Sequence, residues 1–284
     1  MVEKLPIPVA ETIRDRRSVR TYEEKRLSTE DRRKLLEYMD MVDNPFGVKV
    51  KLHITDRGVS AGGDKLGTYG VIKGAGTFLG VSIPDTKLSP LAAGYQFESL
   101  ILCATHMGLG TVWLAATFDR PRFASAMGIR ADELFPAVSP VGYPALRRSM
   151  TESLMRSSMK SSARREWSRL FFAEDFASPL ARYDAWDYAL PLEMLRLAPS
   201  AKNAQPWRVR MAGGVFHFYT AYRPDAPKDE AVIKHVDLGI SIAHFHQTAL
   251  ELGLSGNFAE IPQNDLELPG ELHYVISWRP EKLK

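Results

Sequence analysis

The 284 residues of this chain carry one order of elements twice. Residues 94–107 form a long apolar stretch with helical spacing, closed by Gly108-Leu109-Gly110. Residues 237–252 form another, closed by Gly253-Leu254-Ser255-Gly256. Glycine just past a helix is the usual left-handed stop. Around these helices Ala104-Thr105-His106-Met107-Gly108-Leu109-Gly110 parallels Ala249-Leu250-Glu251-Leu252-Gly253-Leu254-Ser255, and Asn44-Pro45-Phe46 parallels Gln205-Pro206-Trp207. Arg16-Arg17-Ser18-Val19-Arg20 has a weaker echo in Arg164-Arg165-Glu166-Trp167-Ser168-Arg169. The offsets all fall near roughly 150 residues, about half the chain, which supports an internal duplication. The expected halves are residues 1–150 and 151–284.

The remaining elements fit that division. A first helix is expected from Pro8 to about Arg17. A second starts at Ser28, where Asp31 three residues on gives an approximate capping box and Leu35, Leu36 and Met39 give helical spacing. Residues 48–54 alternate apolar and polar and predict a half-buried strand; residues 76–83 predict a more buried one, and 138–141 a short third. In the second half, residues 192–197 predict a helix. Residues 207–211 and 215–219 predict a hairpin around Gly213-Gly214, and 272–278 a closing strand. Residues 147–169, rich in serine, arginine and methionine, read as a linker with helical character.

Two segments carry chemistry. Arg16-Arg17-Ser18-Val19-Arg20 puts three guanidiniums and a hydroxyl within five residues. The planar fork of arginine offers parallel donors to a phosphate. Whether the run is extended or a helix end is open at this stage, and that decides which side chains point together. Pro199-Ser200-Ala201-Lys202-Asn203-Ala204-Gln205-Pro206-Trp207 sets short polar side chains between two prolines. The prolines restrict the backbone on both sides, so Ser200 and Asn203 can meet a ligand at little entropic cost.

Together these segments resemble the flavin-binding segments of the FMN-dependent nitroreductase family. In that family each flavin is held by one segment from each subunit of a homodimer. Here the two lie in opposite halves of one chain, a pattern similar to the TM-type subgroup of fused pseudo-dimers. The resemblance implies an α+β, nitroreductase-like fold of two homologous halves, each with a mainly antiparallel sheet flanked by helices. The helices from Gly94 and Asp237 would pack together as subunit-interface helices do. It also implies roles. Arg16, Arg17 and Ser18 would serve the phosphate and ribityl end, with Arg20 nearer the ring. Pro199, Ser200, Ala201 and Asn203 would contact the flavin from the other half, Gln205 would support the loop or the ribityl chain, and Trp207 would begin the next strand. Lys73, in the glycine-rich run Leu66 to Ala75, is a candidate partner of the ring; a plain surface lysine is the other reading. Ala116 and Thr117 match the stretch whose amides face flavin N5, although the family often has glycine where Thr117 stands. Arg147 and Arg148 would add to the phosphate site or form a solvent-facing pair.

The resemblance further implies hydride transfer from NADH or NADPH to a small conjugated acceptor such as a nitroaromatic or quinone. The flavin carries the reaction, so no general acid or base is assigned. A different flavin reaction on the same fold, such as reductive dehalogenation or dehydrogenation, is an alternative, as is a non-catalytic flavin-binding or storage protein. Acceptor choice would lie in variable segments such as 56–64 and 222–234. The first half has Met41-Val42-Asp43-Asn44-Pro45-Phe46 where a Pro-Ser motif should be, and the second has Glu166 where a phosphate would be repelled. One FMN per chain, in a monomer that is itself a pseudo-dimer, is therefore expected.

Other classes are disfavoured. A lone cysteine, Cys103, excludes an intrachain disulfide and a cysteine-built metal site. His244 and His246 are two apart, which sends them to different sides of a helix, and no carboxylate pattern completes a zinc site. There is no Gly-x-Gly-x-x-Gly after a strand, no Walker loop and no Gly-x-Ser-x-Gly. A net charge of +3 gives no reason to expect nucleic acid. No apolar run reaches the roughly 20 residues of a membrane span and no hydrophobic signal opens the chain, so no membrane and a cytoplasmic location are expected.

Overall fold

The computed structural model describes residues 2–56, 67–146, 163–262 and 268–281. Its helices are α1 (Val9–Asp15), α2 (Thr29–Met41), α3 (Ser89–His106), α4 (Arg120–Ala126), α5 (Ala189–Arg196) and α6 (Lys228–Glu251). The first sheet holds β1 (Lys51–Asp56), β2 (Thr77–Ile83), β3 (Gly110–Thr111) and β4 (Leu134–Gly142), in the order β1-β2-β4-β3. The second holds β5 (Phe171–Ala173), β6 (Trp207–Ala212), β7 (Val215–Ala221), β8 (Gly256–Ala259) and β9 (Leu272–Pro280), in the order β5-β6-β7-β9-β8. Apart from β5, which runs parallel to β6, both sheets are antiparallel. Without β5, both read first, second, fourth, third along the chain. The repeat in the sequence is thus a repeat in topology, and the expected α+β architecture of two halves with mainly antiparallel sheets is what the described residues adopt.

The halves join along α3 and α6. An alanine Cβ at Gly94 would lie 2.1 Å from the carbonyl oxygen of Val236, and one at Gly239 would lie 2.1 Å from that of Leu91. Only hydrogen fits at either position, so the backbones cross in direct contact. Nearly every side chain of α3 is buried, and α6 is buried from Val236 to Ala249. Such all-round burial is the mark of helices enclosed by a core rather than laid on one. Large aromatics complete the second-half core, including Trp207, Phe216, Phe218, Phe245 and Trp278. Among the described residues no helix is long and apolar enough to cross a membrane.

Several boundaries differ from the expectations. α6 begins at Lys228 behind Pro227, more than two turns before Asp237. Its first turn is polar, with Asp229 and Glu230 favouring a helix N-terminus, and Val232, Ile233 and Val236 already carry the helical spacing on to Ile240. Much of the stretch 222–234 is therefore helix, and of the other expected variable segment, 56–64, only Asp56 lies within the described residues. α3 likewise begins at Ser89, with Pro90 in its first turn. β1 is shifted to Lys51–Asp56 because its partner β2 ends at Ile83, and Lys51 pairs with Ser82. The short strands β3, β5 and β8 carry too few residues to leave a period. Of the expected linker, only 163–169 lies within the described residues, with a 3-10 turn at Trp167–Arg169.

Ser28 caps α2 as the sequence suggests. Its hydroxyl accepts from the Asp31 amide at 3.0 Å and donates to the Asp31 carboxylate at 2.7 Å. Tyr143 donates to the same carboxylate, and these bonds hold Asp31 below its usual pKa. Ser28→Ala should cost about 1 kcal/mol, read as a lowered urea midpoint with an unchanged slope.

Candidate functional site

The carboxylate of Glu251 on α6 accepts from the amides of Val9 and Ala10 at 2.6 and 3.0 Å. α1 is thereby fixed to the second half, and its C-cap is Arg16. The Arg16 side chain is only 6% exposed, and its Nε lies 3.8 Å from Oε1 of Glu98 on α3. Beyond Arg16 the chain is extended, which settles the question the sequence left open. The Val19 amide donates to the Thr111 carbonyl, the Lys73 amide to the Arg20 carbonyl, and the Tyr22 amide to the Lys73 carbonyl. Adjacent side chains consequently diverge. Arg16 and Arg20 are buried, Arg17 is exposed and Ser18 is half-buried.

Glu98 is fully buried and tightly held. Its Oε2 accepts from the Trp113 indole at 2.6 Å, and its Oε1 faces His244 Nε2 at 2.9 Å. His244 Nδ1 lies 3.0 Å from the Met194 carbonyl, which can only accept. Nδ1 must therefore carry a proton. The second hydrogen bond then needs one more proton, on Nε2 or on Glu98. Nothing local in the sequence pairs these residues, because Glu98 and His244 stand on different helices in different halves. The signal available was a glutamate within the apolar run of α3.

The Pro-Ser segment forms a tight loop with a 3-10 turn at Ala201–Asn203. Lys202, Asn203 and Gln205 have φ of 53°, 54° and 49°, backbone that non-glycine residues rarely adopt. Side chains sustain it. Ser200 Oγ accepts from the Gln205 amide at 2.9 Å, and Asp237 Oδ1 accepts from the Ala201 amide at 2.9 Å. The Asn203 side chain donates to the Ala163 carbonyl at 3.0 Å, and Gln205 Oε1 accepts from the Arg165 amide at 2.7 Å. Trp207 opens β6 and is completely buried, as expected.

The two motifs meet through a residue that the sequence marked only as an echo. Arg164 donates from Nε and Nη2 to the Leu197 carbonyl at 3.2 and 3.0 Å, and from Nη1 to Asn203 Oδ1 at 3.4 Å. Burial, with Arg16 and then Arg196 nearby, pulls its pKa down to about 10. Through successive contacts, Arg16 reaches Glu98, Glu98 faces His244, His244 meets the Met194 carbonyl, and Arg164 bonds the Leu197 carbonyl at the end of the same helix. Lys73 is exposed and joins the arginine motif through the backbone of Arg20 and Tyr22. Ala116 and Thr117 lie in the bend just past Trp113, exposed and half-buried respectively. Pro199, Ser200 and Ala201 are half-buried. Arg147 and Arg148 lie outside the described residues. Among the described residues no group of three or more His, Cys, Asp or Glu could hold a metal ion.

Asp237 was not singled out in the sequence. It is fully buried beneath the loop, with Oδ2 lacking a hydrogen-bond partner. Burial raises its pKa to about 7, against the opposing pull of the Ala201 amide. A carboxyl raised in the folded state contributes stability below its unfolded value, near 4, and that contribution is lost as pH rises through about 7. Buried His217 and His246, lowered to about 4 and about 3, act oppositely: their contribution is present above 6.5 and lost as pH falls. Asp237→Asn should therefore flatten the decline in urea midpoint between pH 5 and 8 while leaving the acid limb unchanged. An identical decline in the variant would remove Asp237 as its source.

A pair of sheets with one shared topology, joined along two central helices, defines a nitroreductase-like protein. The sequence model described as "Putative TM nitroreductase" matches residues 8–249, and the chain belongs to that family. A solved structure of a putative nitroreductase from Thermotoga maritima is 19% identical, covers 95% of this chain and 92% of that one, and superposes with a TM-score of 0.61. A nitroreductase with bound FMN from Bacteroides fragilis is 21% identical and covers 50% of this chain and 94% of that one, with a TM-score of 0.41. A putative nitroreductase in complex with FMN from Desulfovibrio desulfuricans is 23% identical, covers 51% and 94%, and has a TM-score of 0.37. No curated protein matches the sequence significantly.

Proposed function

We propose that this chain is an FMN-dependent oxidoreductase that binds one FMN between its two halves, residues 1–150 and 151–284. It would pass hydride from NADH or NADPH to a small conjugated acceptor such as a nitroaromatic or quinone. The observation that supports the reading is the buried side chain of Arg16, set against Glu98, which in turn faces His244 of the second half. The residues fit the cofactor's chemistry. Burial and then the charge of Arg16 lower the pKa of Arg164 to about 10, and a phosphate dianion near these cations would offset that cost. The loop is rigid and offers short polar side chains at Ser200 and Asn203. Pro199 and Ala201, with Arg17, Ser18, Arg20, Lys73, Ala116, Thr117, Gln205, Arg147 and Arg148, complete the proposed cofactor-binding set.

When bound, FMN supplies the two-electron chemistry. The chain's own residues bind and orient. Glu98, fixed by Trp113 and His244, aligns Arg16. Asp237 fixes the Ala201 amide and with it the entry to the loop. A monomer in the cytoplasm belongs to the same reading. The test is anaerobic titration of the FMN-loaded chain with NADH and with NADPH, followed by a nitroaromatic or a quinone. Rapid bleaching near 450 nm and recovery on adding acceptor are expected. Absorbance that neither nucleotide bleaches would turn the reading toward a flavin-binding or storage protein.

A further inference from the structure

We propose that Glu98 and His244 form a proton-sharing pair without net charge, so that Glu98 holds Arg16 in place and leaves its charge for the phosphate of FMN. His244 is then a positioning residue, given by the second half to a cation of the first. The inference rests on the FMN reading above.

The proton count follows from the bonds. His244 is completely buried on α6, and its Nδ1 lies 3.0 Å from the Met194 carbonyl, which only accepts. Nδ1 therefore keeps its hydrogen. Nε2 lies 2.9 Å from Oε1 of Glu98, and a hydrogen must stand between those two atoms. With it on Nε2, an imidazolium faces a carboxylate. With it on Oε1, a neutral ring faces a neutral acid. Either way the charges of the pair sum to zero. The Trp113 indole donates to Oε2 at 2.6 Å and holds the other side of the carboxyl. Arg16 Nε stands 3.8 Å from Oε1. That is too far for a hydrogen bond, yet near enough for an uncompensated carboxylate to act strongly on a buried cation. Without His244, an ionised Glu98 would cancel Arg16. With it, the three residues together carry one positive charge, which suits an anionic ligand.

The pair stands at one of the two places the repeat offers. Gly94 and Gly239 occupy like positions, each against a backbone carbonyl of the other helix. Aligned on these glycines, Glu98 corresponds to Ala243 and His244 to Ser99. Ser99 donates to the Tyr95 carbonyl of its own helix at 3.0 Å, and Ala243 has no polar group. The pair thus accompanies the Arg16 motif, and the place related to it by the repeat lacks one.

The test compares FMN with riboflavin, which lacks the phosphate, by fluorescence quenching on the flavin-stripped full chain. His244→Asn removes the shared proton and leaves Glu98 ionised beside Arg16. The FMN Kd should rise about tenfold and the riboflavin Kd stay within about twofold. Glu98→Gln replaces one neutral pair with another, and the FMN Kd should stay within about threefold of wild type. Added to His244→Asn, it should restore FMN affinity to that level. Equal losses for both flavins in His244→Asn, or no recovery in the double variant, would mean that the histidine only packs the junction, and would overturn the proposal. So would a loss of about tenfold in Glu98→Gln alone. Should His244→Asn fail to fold, NMR of the histidine ring nitrogens in the wild-type chain reads the count directly. A proton on Nδ1 of His244 is expected. A neutral ring protonated only on Nε2 would leave Glu98 charged and overturn the proposal. A wild-type chain that binds riboflavin as tightly as FMN overturns the proposal and leaves a flavin site standing; one that binds neither flavin fails the FMN reading itself.

Discussion

Arg16→Ala should weaken FMN binding by about 2–5 kcal/mol, on the order of thirty-fold or more in Kd. The reasoning starts from burial. The side chain is 6% exposed and sits against Glu98, so its removal costs donors to the phosphate and empties a buried position beside Glu98. Asn203→Ala, in the opposite half, should cost about 1 kcal/mol, the loss of a hydrogen-bonding side chain. Because both residues belong to one proposed site, their effects should not add. The double variant should be purified without flavin. Flavin content equal to wild type in the double variant would exclude a site built from both halves.

Gly239→Ala should destabilise the chain by about 3 kcal/mol, the upper end for overpacked cores, and Gly94→Ala by a similar amount. In both cases the added methyl meets a backbone carbonyl at 2.1 Å. A carbonyl inside a helix cannot rotate away, so α3 and α6 must separate, and every contact along the crossing loosens. Since the candidate site spans the same junction, flavin affinity should fall with stability. Gly76→Ala is the control, because a Cβ there meets nothing within 4 Å. Thermal midpoints of the three variants decide the point. A midpoint for Gly239→Ala as high as for Gly76→Ala would contradict the packing described.

Much of this fold was legible because repetition doubles weak signals. Neither helix 94–107 nor helix 237–252 marks a domain alone, but the pair with matched glycine endings does. Ser28 and Trp207 could be read locally, since a cap and a strand start each depend on a few neighbours. The early start of α6 was signalled by the acids behind Pro227 and by Val232, Ile233 and Val236, and only its first turn lacks large apolar residues. In the candidate site, Arg16 and the Pro-Ser loop stood out because each is a compact segment. Glu98, Trp113, His244 and Asp237 did not, because their roles arise from contacts between elements. Arg164 lay between these cases. Its place in the repeat was visible, but its bonds to Leu197 and Asn203, which tie it to the Pro-Ser loop, were not.

The most direct test of a single shared flavin site is the stoichiometry of cofactor on the purified full chain. The chain is saturated with FMN, freed of excess, and measured by visible absorbance and by mass of the released cofactor. One FMN per chain is predicted, because the basic motif of one half and the Pro-Ser loop of the other make one site. Two per chain would mean that Asn44-Pro45-Phe46 and the segment from Arg164 to Arg169 also hold a flavin, and none would contradict the site altogether.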